Sequence, residues 1–268
     1  MLKFDHVTFG YNDEKQIIHD LSFHIHKGDF VALIGANGAG KSTISRLSNG
    51  LLHPISGHVY VDGENTLKCK TSAIAQKIGF LFQNPDRQIC ENTVYDEIAF
   101  NLRIMGLDEE QIKEKVEQML DTFHLKGEWF PFNRSRGERQ RIALASVLVK
   151  EPEMLILDEP TTGLDYVECI QIMDYVTRLN EEKKTTVLMV SHDMELVQSY
   201  AKRVLVLNYG NLLGDGKTNA IMKNEEILHR ARVLPAQIPA LALRLKGQFS
   251  DVYTIEEMVA CIKEACQK

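Results

Sequence analysis

Eight residues near the N-terminus, GANGAGKS at positions 35–42, have the types and spacing needed to hold a polyphosphate. They match the pattern G-x-x-x-x-G-K-[ST], in which backbone N–H groups surround the phosphates. Lys41 would place a cation on the β- and γ-phosphates, and Ser42 would offer its hydroxyl to Mg²⁺. The residues expected to contact the nucleotide here are Asn37, Gly38, Ala39, Gly40, Lys41, Ser42 and Thr43. A glycine turn before a surface lysine is the alternative interpretation.

A pair of carboxylates ends the apolar segment LILDEP, residues 155–160. Asp158 comes at the carboxyl end of the predicted strand, where ligands bind in open α/β sheets, and we expect it to hold Mg²⁺ directly or through water. Strand geometry turns Glu159 away from Asp158, so Glu159 can address a water molecule and act as a general base. An acidic turn after a strand is the alternative.

Two further polar residues also end predicted strands. Gln83 follows FLF, and its amide can reach Mg²⁺ and water, whereas His192 follows MVS and can hydrogen-bond a γ-phosphate. A single Gln or His at a strand end is frequently just a polar residue where the chain leaves the sheet, without a functional role. Position alone therefore leaves both roles open. Because parallel strands end at the same edge of a sheet, we expect these residues to lie near the phosphate-binding loop.

Apolar periodicity predicts strands that alternate with helices, and therefore βαβ units and a mainly parallel sheet. The first 27 residues alternate as antiparallel strands do, and a hairpin is predicted from RVLVLNYG to NLLGDG. Buried strands are predicted at residues 30–35, 154–160 and 185–193, and helices at about 41–49, 93–125 (two helices), 135–150 and 165–182. A boundary is predicted near residue 217.

Composition and charge argue against several classes of protein. The net charge of −6 and the pI of about 5.9 disfavour a nucleic-acid partner. No stretch approaches the roughly 18 apolar residues that span a bilayer, and the N-terminus has no targeting pattern. The five cysteines are scattered and lack CxxC spacing, which fits a reducing cytosol.

The order of motifs over about residues 1–220 resembles that of the nucleotide-binding subunit of an ATP-binding-cassette (ABC) transporter. The motifs are Tyr11, GANGAGKST, Gln83, RSRGERQR, LILDEPTTGLD and VSH. The resemblance implies an α/β P-loop NTPase cassette at residues 1–220, with an antiparallel β subdomain and a helical subdomain at about 85–150. It also implies a small C-terminal helical extension at 221–268.

The resemblance further implies ATP and Mg²⁺ as cofactors and an ATPase activity. Tyr11 would stack on adenine, and Asp165 would belong to the D-loop. Glu159, His192 and Gln83 would be catalytic, and the Mg²⁺ ligands would be Ser42, Gln83 and Asp158.

The stretch LFQNPDRQI, residues 81–89, is similar to the ATPases of energy-coupling-factor importers, which include cobalt and nickel uptake systems and vitamin transporters. This similarity implies a second ATPase, a transmembrane coupling subunit and a substrate-binding membrane subunit as partners, at the cytoplasmic face of the cell membrane. The tail TIEEMVACIKEACQK would form a helix that helps two ATPases pair, or one that packs on its own domain. Candidates to face the coupling subunit, unless they are only a solvated surface, are Asp86, Glu91, Asp96 and Glu97.

Residues 134–138 stand where the family carries its signature loop, usually LSGGQ, which clamps ATP held by the partner subunit. Ser135 and Gly137 fit the pattern, but Arg136 replaces a glycine and Arg134 a leucine. Three roles are open for Arg136. Its side chain can turn to solvent, or it can pair with the phosphate of the partner's ATP. It can also hold the loop backbone away from that phosphate and so weaken closure of the dimer at the partner's site. Because only the part offered to a partner is altered, we expect a heterodimer with unequal sites, with a homodimer as the alternative.

The alternative function is that of a soluble, non-transport mechanical ATPase of the ABC type, as in DNA repair or chromosome maintenance. Such proteins share the phosphate-binding loop and the signature loop. They also need long coiled-coil insertions, and this sequence has no heptad run.

Overall fold

Two β-sheets form the framework of the chain, and the computed structural model describes residues 1–12, 15–245 and 247–266. The smaller sheet is antiparallel and has the order β2–β1–β4–β5. Its strands are β1 (Leu2–Asn12), β2 (Lys15–Ile25), β4 (Ser56–Val61) and β5 (Glu64–Asn65). The larger sheet contains β3 (Phe30–Gly35), β6 (Ile78–Leu81), β7 (Met154–Asp158), β8 (Thr186–Val190), β9 (Arg203–Asn208) and β10 (Asn211–Lys217).

The larger sheet has the order β10–β9–β3–β8–β7–β6, and all its strands except β10 are parallel. β3, β7 and β8 are buried along their whole length. Strands covered on both faces must be apolar throughout, which is why these segments are continuous runs of Val, Leu, Ile and Met. The arrangement places the carboxyl ends of the five parallel strands at one edge.

Helices cover both faces of this sheet or follow it in the chain. They are α1 (Lys41–Ser48), α2 (Thr71–Lys77), α3 (Val94–Ile104), α4 (Glu109–Thr122), α5 (Arg136–Leu148), α6 (Tyr166–Lys183), α7 (Met194–Tyr200), α8 (Thr218–Met222), α9 (Glu225–Ala231), α10 (Gln237–Leu245) and α11 (Ile255–Cys266).

Two apolar cores lie on opposite faces of the larger sheet. One packs α3–α9 against the sheet and includes Ile98, Leu144 and Val176. The other joins the two sheets around α1 through residues such as Phe4, Ile18 and Leu47. The fold class predicted from the sequence, α/β with a mainly parallel sheet and an antiparallel β subdomain, is confirmed.

The sequence interpretation placed most elements correctly but omitted two helices. α2 has one buried side chain, Ile74, and α7 spans seven residues, so neither shows enough apolar periodicity to be recognised. The predicted helix at 135–150 begins and ends within two residues of α5, as is usual for helix ends.

The C-terminal helices divide into two groups. Ile221, Leu228 and Ala231, from α8 and α9, belong to the main core. α10 and α11 instead share a small cluster formed by Ala242, Val252 and Met258. The predicted extension also includes residues 246 and 267–268, which lie outside the described part of the chain. In the described ranges, no helix combines the length and the apolarity that a bilayer crossing requires.

Candidate functional site

A cleft of about 360 Å³ opens where β3, β6, β7 and β8 end. It lies against the N-terminus of α1 and one corner of the antiparallel sheet. Its lining residues are Tyr11, Ile17, Asn37, Gly38, Gly40, Lys41, Ser42, Thr43, Gln83, Asp158, Glu159 and Val190. Residues from positions 11 to 190 are therefore brought together, and the parallel topology of the larger sheet places those that follow β3, β6 and β7 at one edge.

At two positions, the loop between β3 and α1 has a backbone conformation that only glycine accommodates. Gly35 has φ +151°, and a Cβ there would lie 2.3 Å from the carbonyl oxygen of Leu207. Gly40 has φ +105°, and a Cβ there would lie 2.7 Å from Ile18 Cδ1. The loop can therefore curve tightly into the N-terminus of α1, which leaves backbone N–H groups available for an anion.

Lys41 is buried at the base of this loop, and its side chain contacts backbone rather than carboxylate. Nζ donates to the carbonyl oxygens of Gly35 at 2.8 Å and Ala36 at 3.1 Å. Burial lowers the pKa of Lys41, and the nearby charges of Glu159 and Asp158 partly oppose that shift. A phosphate entering the cleft can replace the two carbonyl contacts with a charge-assisted one.

Asp158 and Ser42 lie together at the floor of the cleft. Burial raises the pKa of Asp158, and a hydrogen bond with the Ser42 side chain opposes this rise. The donor set of carboxylate, hydroxyl and the Gln83 amide consists of hard oxygens, which suits Mg²⁺. The described residues contain no group of three His, Cys, Asp or Glu side chains that could hold a metal. Mg²⁺ would therefore need phosphate oxygens to complete its ligands, as it commonly does.

Glu159 is buried beside Asp158 and contacts His192. His192 Nδ1 lies 2.7 Å from Glu159 Oε2, although the His192 side chain is 74% exposed. Glu159 has φ +55°, and its N–H donates to Val190 O at 2.9 Å. The left-handed backbone turns this side chain out of the strand direction and into the cleft that holds Lys41.

Tyr11 and Gln83 reach the cleft from opposite sides. The Tyr11 side chain is exposed, and its hydroxyl lies 3.2 Å from Thr43 Oγ1. An aromatic face at the mouth of the cleft is suited to stacking on a base. Gln83 is exposed just after β6. Ala39 is buried beneath the loop and its N–H already donates to Ala36 O at 3.1 Å, so it does not face the cleft.

Ser135 and Gly137 do not line the cleft; Ser135 is exposed and Gly137 is half-buried in a separate loop. Ser135 caps α5, accepting from Glu138 N at 3.2 Å while Glu138 Oε2 accepts from Ser135 N at 2.8 Å. A Cβ on Gly137 would lie 2.6 Å from Gly163 O, so the loop packs directly on residues 161–165. If Ser135 and Gly137 contact a nucleotide, it is not the one in this chain's own cleft.

Three of the four arginines around this loop have partners within the chain. The Arg134 guanidinium lies 5.0 Å from the Trp129 ring centroid, and Arg139 lies 2.7 Å from Asp86 Oδ1. Arg141 Nη1 donates to Phe123 O at 3.1 Å. Arg136 is exposed, and no hydrogen bond or ion pair holds it within the described ranges.

The acidic residues after Gln83 include structural ones, which corrects part of the sequence interpretation. Glu97 is buried, and its Oε2 accepts from the N–H groups of Cys90 at 2.9 Å and Glu91 at 3.0 Å. Asp96 binds the Thr93 hydroxyl at 2.6 Å and Arg103 at 3.0 Å. Asp86 is paired to Arg139, so of these four acidic candidates only Glu91 has no carboxylate partner among the described residues.

Two residues beside the site were not identified from the sequence. Ile17 of β2 lines the cleft next to Tyr11. Gln140 of α5 is fully buried, and its Nε2 donates to Pro160 O at 3.1 Å. The only sequence signal for Gln140 is a polar residue just before the apolar run of α5, which is too common a feature to indicate a role.

Comparison with known proteins identifies relatives along almost the whole chain. Residues 18–162 match the family model described as ABC transporter. An ABC transporter ATP-binding protein of Clostridium acetobutylicum is 36% identical over 98% of this chain and 97% of its own length. Another, from Caldanaerobacter subterraneus, is 42% identical over 96% of this chain. The chain spans only 45% of that longer relative, and less than half of several similar ones.

Solved structures share the same fold. The cbiO1 protein of Clostridium perfringens, described as part of the ABC transporter complex cbiONQ, is 30% identical with a TM-score of 0.74, over 85% of this chain and 92% of that one. The dimeric cassette MJ0796, determined in a post-hydrolysis state with ADP and Pi, is 28% identical with a TM-score of 0.75, over 81% of this chain and 99% of that one.

Proposed function

Since the chain belongs to the ABC transporter family, we propose that it binds and hydrolyses ATP to power uptake through a membrane partner. The observation that carries this proposal is the 2.7 Å contact between His192 and Glu159, which lines the same cleft as Lys41. A buried carboxylate, a histidine and a lysine around one glycine-rich loop form the set that phosphoryl transfer to water requires.

Each residue at the site has a separate role in the proposed reaction. Lys41 leaves its carbonyl contacts and neutralises charge on the β- and γ-phosphates, while Tyr11 stacks on adenine. Glu159 accepts a proton from the attacking water, and His192 hydrogen-bonds the γ-phosphate. Ser42, Asp158 and Gln83 would hold Mg²⁺, which would supply charge neutralisation on the phosphates.

The transporter class that we propose is the energy-coupling-factor type, which imports vitamins or the transition metals cobalt and nickel. Two observations support it. Gln83 is followed by NPDRQ, the pattern typical of these ATPases, and the neighbour cbiO1 is described as part of a cbiONQ complex. We therefore propose a transmembrane coupling subunit and a substrate-binding membrane subunit as partners, with this chain at the cytoplasmic face of the cell membrane.

We propose that the second ATPase of the complex is a different chain. Ser135 and Gly137 lie outside this chain's own cleft, and Ser135 is exposed while Gly137 is half-buried, so the loop is accessible to a nucleotide held by a partner. Arg136 places a long unpaired cation in that loop. In a heterodimer, the cleft of this chain would meet an ordinary partner loop, and only the partner's cleft would meet Arg136.

The C-terminal extension, residues 221–268 after a cassette at 1–220, is proposed to help the two ATPases pair. α11 supports this proposal because three apolar side chains on one face are exposed: Ile255, Val259 and Ile262. Apolar residues at this spacing usually cover another surface. A coiled-coil mechanical ATPase is disfavoured because α6, at 18 residues, is the longest helix in the described ranges.

The proposal is tested by co-expressing the chain with the products of neighbouring genes and purifying it by affinity. Recovery of a polytopic membrane protein and a second ATPase, with ATP-dependent uptake of cobalt, nickel or a vitamin into vesicles, is the expected result. Hydrolysis stimulated by DNA or ribosomes, without a membrane partner, would contradict it.

A further inference from the structure

One polar side chain connects the helix of the signature loop to the backbone of the proposed general base. Gln140 lies in the second turn of α5 and is fully buried. Its Nε2 donates to Pro160 O at 3.1 Å and lies 3.5 Å from Glu159 O. Its Oε1 is buried, with no hydrogen-bond partner among the described residues. An apolar residue of the same length would pack here without leaving an oxygen unpaired, so packing alone does not explain a glutamine.

The carbonyls that Gln140 contacts belong to the strained segment after β7. Glu159 has φ +55°, a region that non-glycine residues adopt rarely and only where surrounding contacts hold them. Two backbone hydrogen bonds also hold this segment, from Glu159 N to Val190 O at 2.9 Å and from Thr162 N to Glu159 O at 3.3 Å. The direction of the Glu159 side chain therefore depends on contacts made by its own main chain.

We propose that Gln140 is a positioning residue for Glu159. By donating to the carbonyl oxygens of Glu159 and Pro160, it keeps the Glu159 carboxylate aimed at the water that attacks ATP. This inference rests on the proposed ATPase function. It adds a direct structural connection between the partner's nucleotide site and this chain's own cleft. α5 begins at the loop offered to the partner's nucleotide, and one turn later its Gln140 contacts the backbone of this chain's general base.

The test uses Gln140→Met, which keeps the unbranched shape but removes the donor. In the assembled ATPase we expect kcat to fall about ten-fold, the scale of a small misplacement of a reacting group, with ATP–Mg²⁺ affinity within two-fold of wild type. Gln198→Met is the matched control. Gln198 Nε2 donates to Tyr253 O at 2.7 Å, its Oε1 is also buried and unpaired, and it lies on α7 away from the cleft.

A second comparison separates positioning from general loss of structure. If Gln140 acts through Glu159, adding Gln140→Met to Glu159→Gln causes no further loss, because the base is already absent. A further ten-fold loss in the double variant would overturn the proposal, as would an unchanged kcat in Gln140→Met. Should Gln140→Met fail to fold, Gln140→Glu places an acceptor against the same two carbonyls and is expected to lower kcat at least as much. Unchanged kcat in folded Gln140→Glu would also overturn the proposal.

Failure of this inference is distinguishable from failure of the proposed function. If wild type binds and hydrolyses ATP while Gln140→Met is unchanged, only the positioning role is wrong. If wild type neither binds ATP–Mg²⁺ by calorimetry nor hydrolyses it in the complex, the proposed function itself is wrong.

Discussion

Glu159 Oε2 and His192 Nδ1 lie 2.7 Å apart, although 32 positions of the sequence separate the two residues. β7 and β8 are parallel neighbours in which Asp158 pairs with Val190. Glu159 follows directly after Asp158, and His192 comes two residues after Val190. The register of the two strands therefore brings the carboxylate and the imidazole together.

Replacing Glu159 with glutamine should remove the proton acceptor while leaving the cleft intact. We expect hydrolysis in the assembled complex to fall about 10²- to 10⁴-fold with ATP–Mg²⁺ binding retained, since general-base catalysis contributes on that scale. Turnover and calorimetric binding are the measurements. Glu153→Gln is the control, because Glu153 precedes the opposite end of β7 and pairs with Lys27 at 3.5 Å. Unaltered turnover in Glu159→Gln would show that another group activates the water.

Replacing His192 with alanine should lower the rate of a single turnover more than it lowers nucleotide affinity. The imidazole contacts Glu159 and is 74% exposed, so we expect its loss to leave the fold intact while removing the proposed hydrogen bond to the γ-phosphate. We expect about a 10- to 100-fold decrease. His6→Ala is a close control, since His6 Nδ1 also lies 2.7 Å from a carboxylate, that of Asp20, on an exposed surface. Equal effects of the two substitutions would argue against a catalytic role.

Arg136→Gly should change turnover at the partner's site and not at this chain's own site. In a complex that carries Glu159→Gln here, only the partner's cleft hydrolyses ATP, so its rate is read directly. We expect an increase of about three- to ten-fold, or roughly 0.6–1.4 kcal/mol, because glycine lets the loop backbone approach the phosphate. Arg136→Lys, which keeps the charge, should not produce this increase. A decrease in Arg136→Gly would instead show that the arginine pairs with the phosphate, and no change would indicate that it faces solvent.

Lys150 should make stability depend on pH in an alkaline window. Burial lowers the pKa of Lys150 from 10.5 to about 8, and Nζ donates to Ala75 O at 2.6 Å and Ile78 O at 3.0 Å. Between these pH values the unfolded chain binds more protons than the folded one, so the free energy of unfolding contributed by Lys150 rises as pH increases.

The comparison variant for this effect is Lys150→Met. The unfolding free energy of wild type minus that of Lys150→Met should increase from pH 8 to pH 10.5 and stay constant between pH 6 and pH 7. Chemical denaturation at each pH measures the difference, and taking it against the variant removes contributions of other titrating groups. A difference that decreases over the alkaline range would contradict burial as the cause.

Local patterns were sufficient to predict the phosphate-binding loop, the Asp158–Glu159 pair and the cap of α5. The loop requires glycines at specific backbone positions, and the cap requires Ser135 three residues before Glu138, so both are written in adjacent residues. Continuous apolar runs likewise predicted the buried strands, because a strand covered on both faces has no polar side. These features depend on short stretches of chain, and the sequence by itself determined them.

The tertiary structure alone decided which polar residues have partners. Glu97 looked like a candidate for the membrane subunit, yet it is buried and accepts two backbone N–H groups. Of four arginines in one short stretch, only Arg136 is left free within the described part of the chain, and Gln140 supports Glu159 from another element. Apolar periodicity specifies which face of a helix or strand is buried, but not which other element packs against that face. The partners of these residues depend on how elements distant in sequence pack, and only the folded chain defines that packing.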